Sequence, residues 1–225
     1  MRKDGDTLRT LPLTSTGYVR RDCKKSIAPI RKTVIEPILP DEKQYRLLRK
    51  AFRGGNTHGN RFFAGKILKN VYSVDMTSCY PAQQLTKKFP MGKFVWMPTP
   101  VDFNKVLQFS MAGFAVVGEY QFRGLRLRNP REPIPYLPLA KCKATGFDVD
   151  NGRLLSADLC VTALTEIDLK IVLKQYIFDT IDVYSAMVAN KDYLPAYYRN
   201  VVQQYYNSKT ELKGVQSAVV DGLLL

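Results

Sequence analysis

Asn151-Gly152, inside the stretch Asp148–Arg153, is a strong two-residue hairpin signal, because a loop of that length and composition closes an antiparallel pair of strands. Around it the pattern continues in kind. Phe114–Phe122 (FAVVGEYQF) and Leu159–Leu164 read as strands, Leu125–Arg128 follows the first of them, and the proline-rich stretch Pro130–Pro138 reads as a loop. Thr165 with Asp168 starts a helix to about Tyr176, Ile177–Ser185 returns as a strand, and Pro195 begins a helix through Tyr205 that carries the doublets Tyr197-Tyr198 and Tyr205-Tyr206. Hairpins mixed with separated helices point to an α+β fold, an antiparallel sheet with packed helices, rather than a doubly wound parallel sheet. No repeat of 20–50 residues interrupts this reading.

The N-terminal part is organised differently. Residues 1–40 are basic and broken by Pro12, Pro29, Pro37 and Pro40, with the run Tyr18–Lys25 (YVRRDCKK) inside them, so an extended arm is expected. Asp41 and Gln44 have capping-box spacing ahead of Tyr45, Leu48, Ala51 and Phe52 on one helical face, and Gly54-Gly55 stops that helix. Val71–Val74 alternates in β-branched and aromatic residues and is expected to form a strand delivering Asp75 to its end. Thr77 or Ser78 would cap the next helix, and Pro81 suits its first turn.

Charge narrows the function. Among 225 residues, 34 Lys and Arg stand against 20 Asp and Glu, a net charge of +14, and 11% of the residues are aromatic. Cations neutralise phosphates and aromatic faces stack on bases, so a polyanionic partner is expected. No apolar run is long enough to cross a bilayer and the start MRKDGDTLRT has no apolar core of a signal peptide, which reads as a cytoplasmic protein with no membrane partner. Cys23, Cys79, Cys142 and Cys160 are scattered without a CxxC pair and read as free thiols. With His58 the only histidine, any metal must be held by oxygen, which selects Mg²⁺ or Mn²⁺.

Two motifs carry the chemistry. Asp75-Met76-Thr77-Ser78-Cys79-Tyr80-Pro81 matches D-x-x-S-L-Y-P with Cys79 in the leucine place, and Phe52-Arg53-Gly54-Gly55 is similar to Y-x-G-G with Phe52 in the tyrosine place. In this order and spacing they resemble the protein-primed family B DNA polymerases of phages. Leu13–Cys23 and Phe89-Pro90-Met91-Gly92 also resemble polymerases of phages that infect Gram-positive bacteria, so the likeness runs over roughly residues 10–214.

The resemblance implies a role for each matching residue. Asp75 would be a metal-bridging catalytic carboxylate, with the Met76 carbonyl a further oxygen ligand, because nucleotidyl transfer uses two divalent ions to stabilise the attacking 3′-oxygen and the leaving pyrophosphate. Tyr80 would lie under the incoming sugar and exclude a 2′-hydroxyl, and Ser78 with the amides at the helix start would meet nucleotide phosphate or primer. Phe52, Arg53, Gly54 and Gly55 would contact the template strand, the glycines letting backbone amides approach phosphates closely. Each has a bland counterpart: a turn or cap for Asp75, packing for Tyr80, an ordinary helix stop for Gly54-Gly55, an exposed loop residue for His58.

The implied partners are a DNA primer-template, dNTP and a terminal-protein primer. Five segments follow: 1–40 as the basic arm from an exonuclease side, 41–129 as palm, 130–185 as an insertion resembling the terminal-protein region, 186–214 as a helix leading toward the fingers, and 215–225 as an atypical tail. Asp148 with Asp150 reads as turn-forming rather than metal-binding, Asp179 with Asp182 does not fit Y-x-D-T-D-S, and Asn207-Ser208 lacks the Tyr-Gly of N-S-x-Y-G. The sequence thus offers one of two bridging carboxylates and no room for an exonuclease domain upstream. It is expected to be a polymerase fragment or one half of a split enzyme whose rest lies on a separate chain, inactive alone and prone to associate. Two other readings are a non-catalytic DNA- or terminal-protein-binding module derived from a polymerase, and an unrelated basic RNA-binding protein.

Overall fold

The computed structural model describes residues 15–55, 57, 59–76 and 78–223; His58 and Thr77 lie outside the described residues. In chain order the elements are α1 (Ser15–Ile27), α2 (Glu42–Ala51), α3 (Cys79–Thr86), β1 (Lys88–Pro90), β2 (Val95–Trp96), α4 (Phe103–Met111), β3 (Ala115–Leu127), β4 (Cys142–Asp150), β5 (Arg153–Thr165), α5 (Glu166–Gln175), β6 (Tyr176–Ile177), β7 (Thr180–Ala189), β8 (Lys191–Tyr193) and α6 (Ala196–Leu223), with short 3₁₀ or π turns between. β1 and β8 form a two-stranded sheet. The chain divides into two compact units, Ile38–Ser73 with Pro90–Lys191, and Met1–Pro37 with Val74–Phe89 and Asp192–Leu225.

The first unit is built on the antiparallel order β2-β7-β3-β5-β4, with β6 also paired to β3. β3 sits in the middle, and its alternation sorts side chains to two faces. Val116, Tyr120 and Phe122 join Val106, Leu164, Leu169 and Val172 in one core under α4 and α5. Ala115 and Val117 join Leu47, Ala51 and Met187 in a second core under α2. Three layers result, which is why β3 reads as an almost unbroken apolar run rather than a clean alternation. Each fully buried Leu or Phe adds about 1.5–3 kcal/mol.

Local signals set the joints. Asn151 (φ 48°) and Gly152 (φ 72°) are both left-handed and close the β4–β5 hairpin. Both helix starts flagged by spacing carry reciprocal capping boxes, Asp41 with Gln44 on α2 and Thr165 with Asp168 on α5. Gln44 then spends its side-chain amide on the Phe94 carbonyl at 2.8 Å, and Asp168 takes the Tyr136 hydroxyl as a further donor.

The second unit is helical, α1 and α3 packing on α6. Here the sequence expectations need correction. The described part of the expected arm is not extended: α1 runs from Ser15, followed by short helical turns to Ile38. Pro29 and Pro37 fall in those turns rather than inside a long helix, and Val19, Cys23 and Ile27, four apart, give the helix a face that buries Cys23. The expected strand Val71–Val74 is absent. Among the described residues no strand pairs with 66–76, and Val71, Tyr72 and Val74 are 70%, 89% and 92% exposed; a strand forms only where a neighbour completes its ladder. Ser78 occupies the cap position of α3 but is left-handed (φ 51°) and makes no side-chain capping bond. α6 continues well past Tyr205 and through the expected tail to Leu223.

Candidate functional site

The D-x-x-S-x-Y-P residues lie at the start of α3. Asp75 is exposed, and Met76, also exposed, accepts the Cys79 amide on its carbonyl at 3.3 Å. Tyr80, the second residue of α3, is 79% exposed, which removes the packing explanation for it. Ser78 receives a hydrogen bond from Lys209 Nζ at 3.4 Å, across 131 positions of sequence. Ser78, Pro81 and Lys209 line a cavity of about 830 Å³ with Arg20, Tyr205 and Tyr206. Tyr205 donates to Asp22 at 2.7 Å, and burial together with that carboxylate pushes its phenol up to about 12. The cavity thus has aromatic walls and two cations, Arg20 and Lys209, among its lining residues.

The Y-x-G-G-like residues belong to the sheet unit. α2 ends at Ala51, and Phe52 projects 62% exposed with the Arg49 guanidinium 5.9 Å from its ring centre. Arg53 turns inward: Nη2 donates to Thr162 Oγ1 at 3.0 Å and to the Ala163 carbonyl at 3.2 Å. Its Nε and Nη1 are buried with no hydrogen-bond partner among the described residues. A cleft of about 250 Å³ lies here between Arg53, Gly54, Gly55, Tyr136, Lys141 and Arg153. Burial, then the bond to Asp168, pushes the Tyr136 phenol up and keeps it neutral.

Gly54 and Gly55 are informative because nothing among the described residues requires them. A Cβ added at either would meet no atom within 4 Å, and neither takes a left-handed φ. A helix stop that needed glycine would place it left-handed after the last turn, whereas the residue after α2 is Phe52 at φ −61°.

Over residues 9–220 the chain matches the family of DNA polymerases type B, organellar and viral. It belongs to that family. Among solved structures it is similar to Phi29 DNA polymerase complexed with primer-template DNA and incoming nucleotides (TM-score 0.59, 17% identity, 84% of this chain and 31% of that one). It is also similar to Phi29 polymerase complexed with primer-template DNA (TM-score 0.62, 17% identity, 85% and 31%) and with single-stranded DNA (TM-score 0.61, 16% identity, 88% and 31%). The chain spans about a third of the length of these polymerases. At such identities the likeness establishes the fold, an α+β arrangement around a curled antiparallel sheet. No curated protein sequence matches the chain significantly.

For a type B polymerase the carboxylates matter most. Among the described residues no three His, Cys, Asp or Glu side chains converge to hold a metal ion, so Asp75 and the Met76 carbonyl do not by themselves make a two-ion centre. The other aspartates have structural employment. Asp150 lies 3.8 Å from Arg61, Asp179 pairs with Arg126 at 3.0 Å, and Asp182 accepts from Gln121 at 3.2 Å. Asp148 sits in the β4 ladder opposite Ser156.

Sequence reading did not single out Lys209, and it expected Arg20 in a basic DNA-binding arm rather than at this cavity. Lys209 extends the helical row Tyr198, Val202, Tyr205, Tyr206, a periodicity that continues past the expected end of α6 and could have flagged it. Arg20 belonged to the stretch expected to be an unpacked arm.

Proposed function

We propose that the chain is the part of a protein-primed phage-type family B polymerase that holds the primer-template and one catalytic carboxylate for template-directed DNA synthesis from dNTPs. The observation that carries this reading is that Asp75, Tyr80 and Phe52 stand in the family's motif positions while fully or largely outside the chain's own packing. Residues kept for packing would be buried. Asp75 is the catalytic carboxylate and, with the Met76 carbonyl, one half of the ligand set for Mg²⁺ or Mn²⁺; the second bridging carboxylate comes from outside the described residues. Ser78 and Lys209 take nucleotide phosphates, Tyr80 faces the sugar, and Phe52, Arg53, Gly54 and Gly55 meet the template. Segment 41–129 serves as palm, 130–185 meets the terminal protein, and 186–214 leads toward the fingers. The setting is the cytoplasm of the host, a Gram-positive bacterium.

The alternative, a non-catalytic DNA- or terminal-protein-binding module, is favoured by one observation, the lack of a converging metal cluster among the described residues. A single experiment separates the two. Residues 1–214 are followed by the downstream part of Phi29 DNA polymerase, and primer extension is measured beside binding of labelled primer-template. The polymerase reading expects extension that Asp75→Asn abolishes while binding is kept. Binding with no extension, or extension indifferent to Asp75→Asn, supports the module and sinks the assignment of Asp75. The unmodified chain alone should bind DNA with steep salt dependence and leave primers unextended.

A further inference from the structure

Strand β4 is the last of its sheet, and among the described residues no further strand or backbone hydrogen bond reaches its outer side. An open edge nine residues long, with Phe147 47% and Val149 37% exposed, is a template for another strand. What can join it is decided at Gly146. This residue is left-handed (φ 55°) and the Asp158 carboxylate occupies the place a Cβ would take, so only glycine fits. A left-handed residue inside a strand breaks the simple alternation of faces. The core records the same break on β3, where it takes Val116, Tyr120 and Phe122 before the left-handed Gly124 and Leu125 and Leu127 after it. On β4, Cys142 and Ala144 therefore share the core-side face with Phe147 and Val149, which stand opposite the core residues Ala157 and Leu154. Lys143 and Asp148 share the other face, both exposed and neither in an ion pair among the described residues.

We propose that the free edge of β4 pairs with β4 of a second copy of this chain, antiparallel about a two-fold axis normal to the sheet, with Lys143 of each copy opposite Asp148 of the other. In that register Ala144 meets Phe147 and Cys142 meets Val149 on the core side, and Thr145 meets Gly146 beside the axis. Such an axis keeps each face of the sheet on its own side, so opposed residues must belong to the same face. Lys143 and Asp148 are an odd number of positions apart, and in a regular strand they would point to opposite faces and never meet. The turn at Gly146 removes that obstacle. A second copy is the occupant because the charge order of the strand, lysine before the glycine and aspartate after it, is complementary to itself read backwards. Phe147 and Val149 are covered in the same step, and the open edge is closed.

The test is sedimentation velocity on the full chain without DNA. Salt of about 0.15 M is used, where a screening length of about 8 Å damps the repulsion between two chains of net charge +14 and spares pairs in contact. Across about 1–100 μM protein the mass should rise from 25.6 kDa toward twice that value. Lys143→Glu sets like charges opposite each other at two symmetry-related places, and Asp148→Lys does the same, so each should raise the dimer Kd about tenfold or more. An equimolar mixture of the two variants should associate within about threefold of the unmodified chain, because every opposed pair again has opposite signs. That rescue separates lost pairing from lost folding. A chain that stays monomeric over the whole range overturns the proposal and leaves the edge to a strand of a different protein. A dimer indifferent to both reversals, or variants that stay apart when mixed, overturns it as well. DNA takes no part in the readout, so the outcome is independent of the polymerase reading.

Discussion

Two segments of nearly the same residue types end in opposite states. Ala115–Phe122 is buried in the centre of the sheet, whereas Lys66–Met76, with its own Val71, Tyr72 and Val74, is irregular and exposed. β-branched and aromatic residues state only that a segment suits a pleated, half-buried surface; whether it becomes a strand depends on a partner. β3 has β5 on one side and β7 on the other. The segment before Asp75 has none among the described residues, so what it offers is an open edge leading to a carboxylate.

The contrast can be broken most sharply through activity. In the polymerase completed as above, Asp75→Asn should lower incorporation by about a thousandfold or more, since loss of a metal bridge removes several kcal/mol of transition-state stabilisation. Its melting temperature should stay unchanged, because Asp75 is exposed; a large drop would return it to a structural role. Next in size, Leu164→Ala in the buried face should cost about 3–4 kcal/mol in urea unfolding, while Val74→Ala should stay within about 0.5 kcal/mol. Comparable losses at both sites would mean that the exposed segment is packed after all. Tyr80→Val should relax discrimination against ribonucleotides by about tenfold, read as the ratio of ribonucleotide to deoxynucleotide incorporation, with stability untouched.

The smallest effect is the most discriminating for the template side. Because Arg53 is tied to β5, Arg53→Ala mixes lost binding with lost structure. Gly54→Ala does not, since its added methyl meets open space. It should leave unfolding unchanged within about 0.5 kcal/mol and weaken primer-template binding several-fold, with the log–log salt slope shallower by about 0.9 for one lost phosphate contact. Unaltered binding at every salt concentration would assign the glycine pair to no DNA contact.

These residues also show where sequence reading reaches. Asn151-Gly152 and the two capping boxes were legible because their partners lie within three residues, so spacing alone fixes the geometry. Asp75, Tyr80 and Phe52 were singled out by motif order and spacing, and the structure leaves all three exposed. The helix over Ser15–Ile27 was hidden because flanking prolines and charge dominate its composition, while its three-residue apolar face has meaning only against α6. Lys209 was hidden for the same reason, since its neighbour Ser78 is remote in the chain. The reading of Val71–Val74 as a strand failed in the reverse sense, a sound local pattern without a partner.

The helical unit is assembled from three stretches of chain that lie far apart, Met1–Pro37, Val74–Phe89 and Asp192–Leu225. Closing such long loops costs entropy before any contact repays it, so this unit has a high contact order, whereas the β4–β5 hairpin is local. On the ribosome the difference becomes a schedule. At about 5–20 residues per second, the segment carrying Asp75 emerges on the order of ten seconds before α6 is available to hold it. During that interval Asp75 sits on a segment whose helical partner has not yet been made, so this unit can close only once α6 has been synthesised.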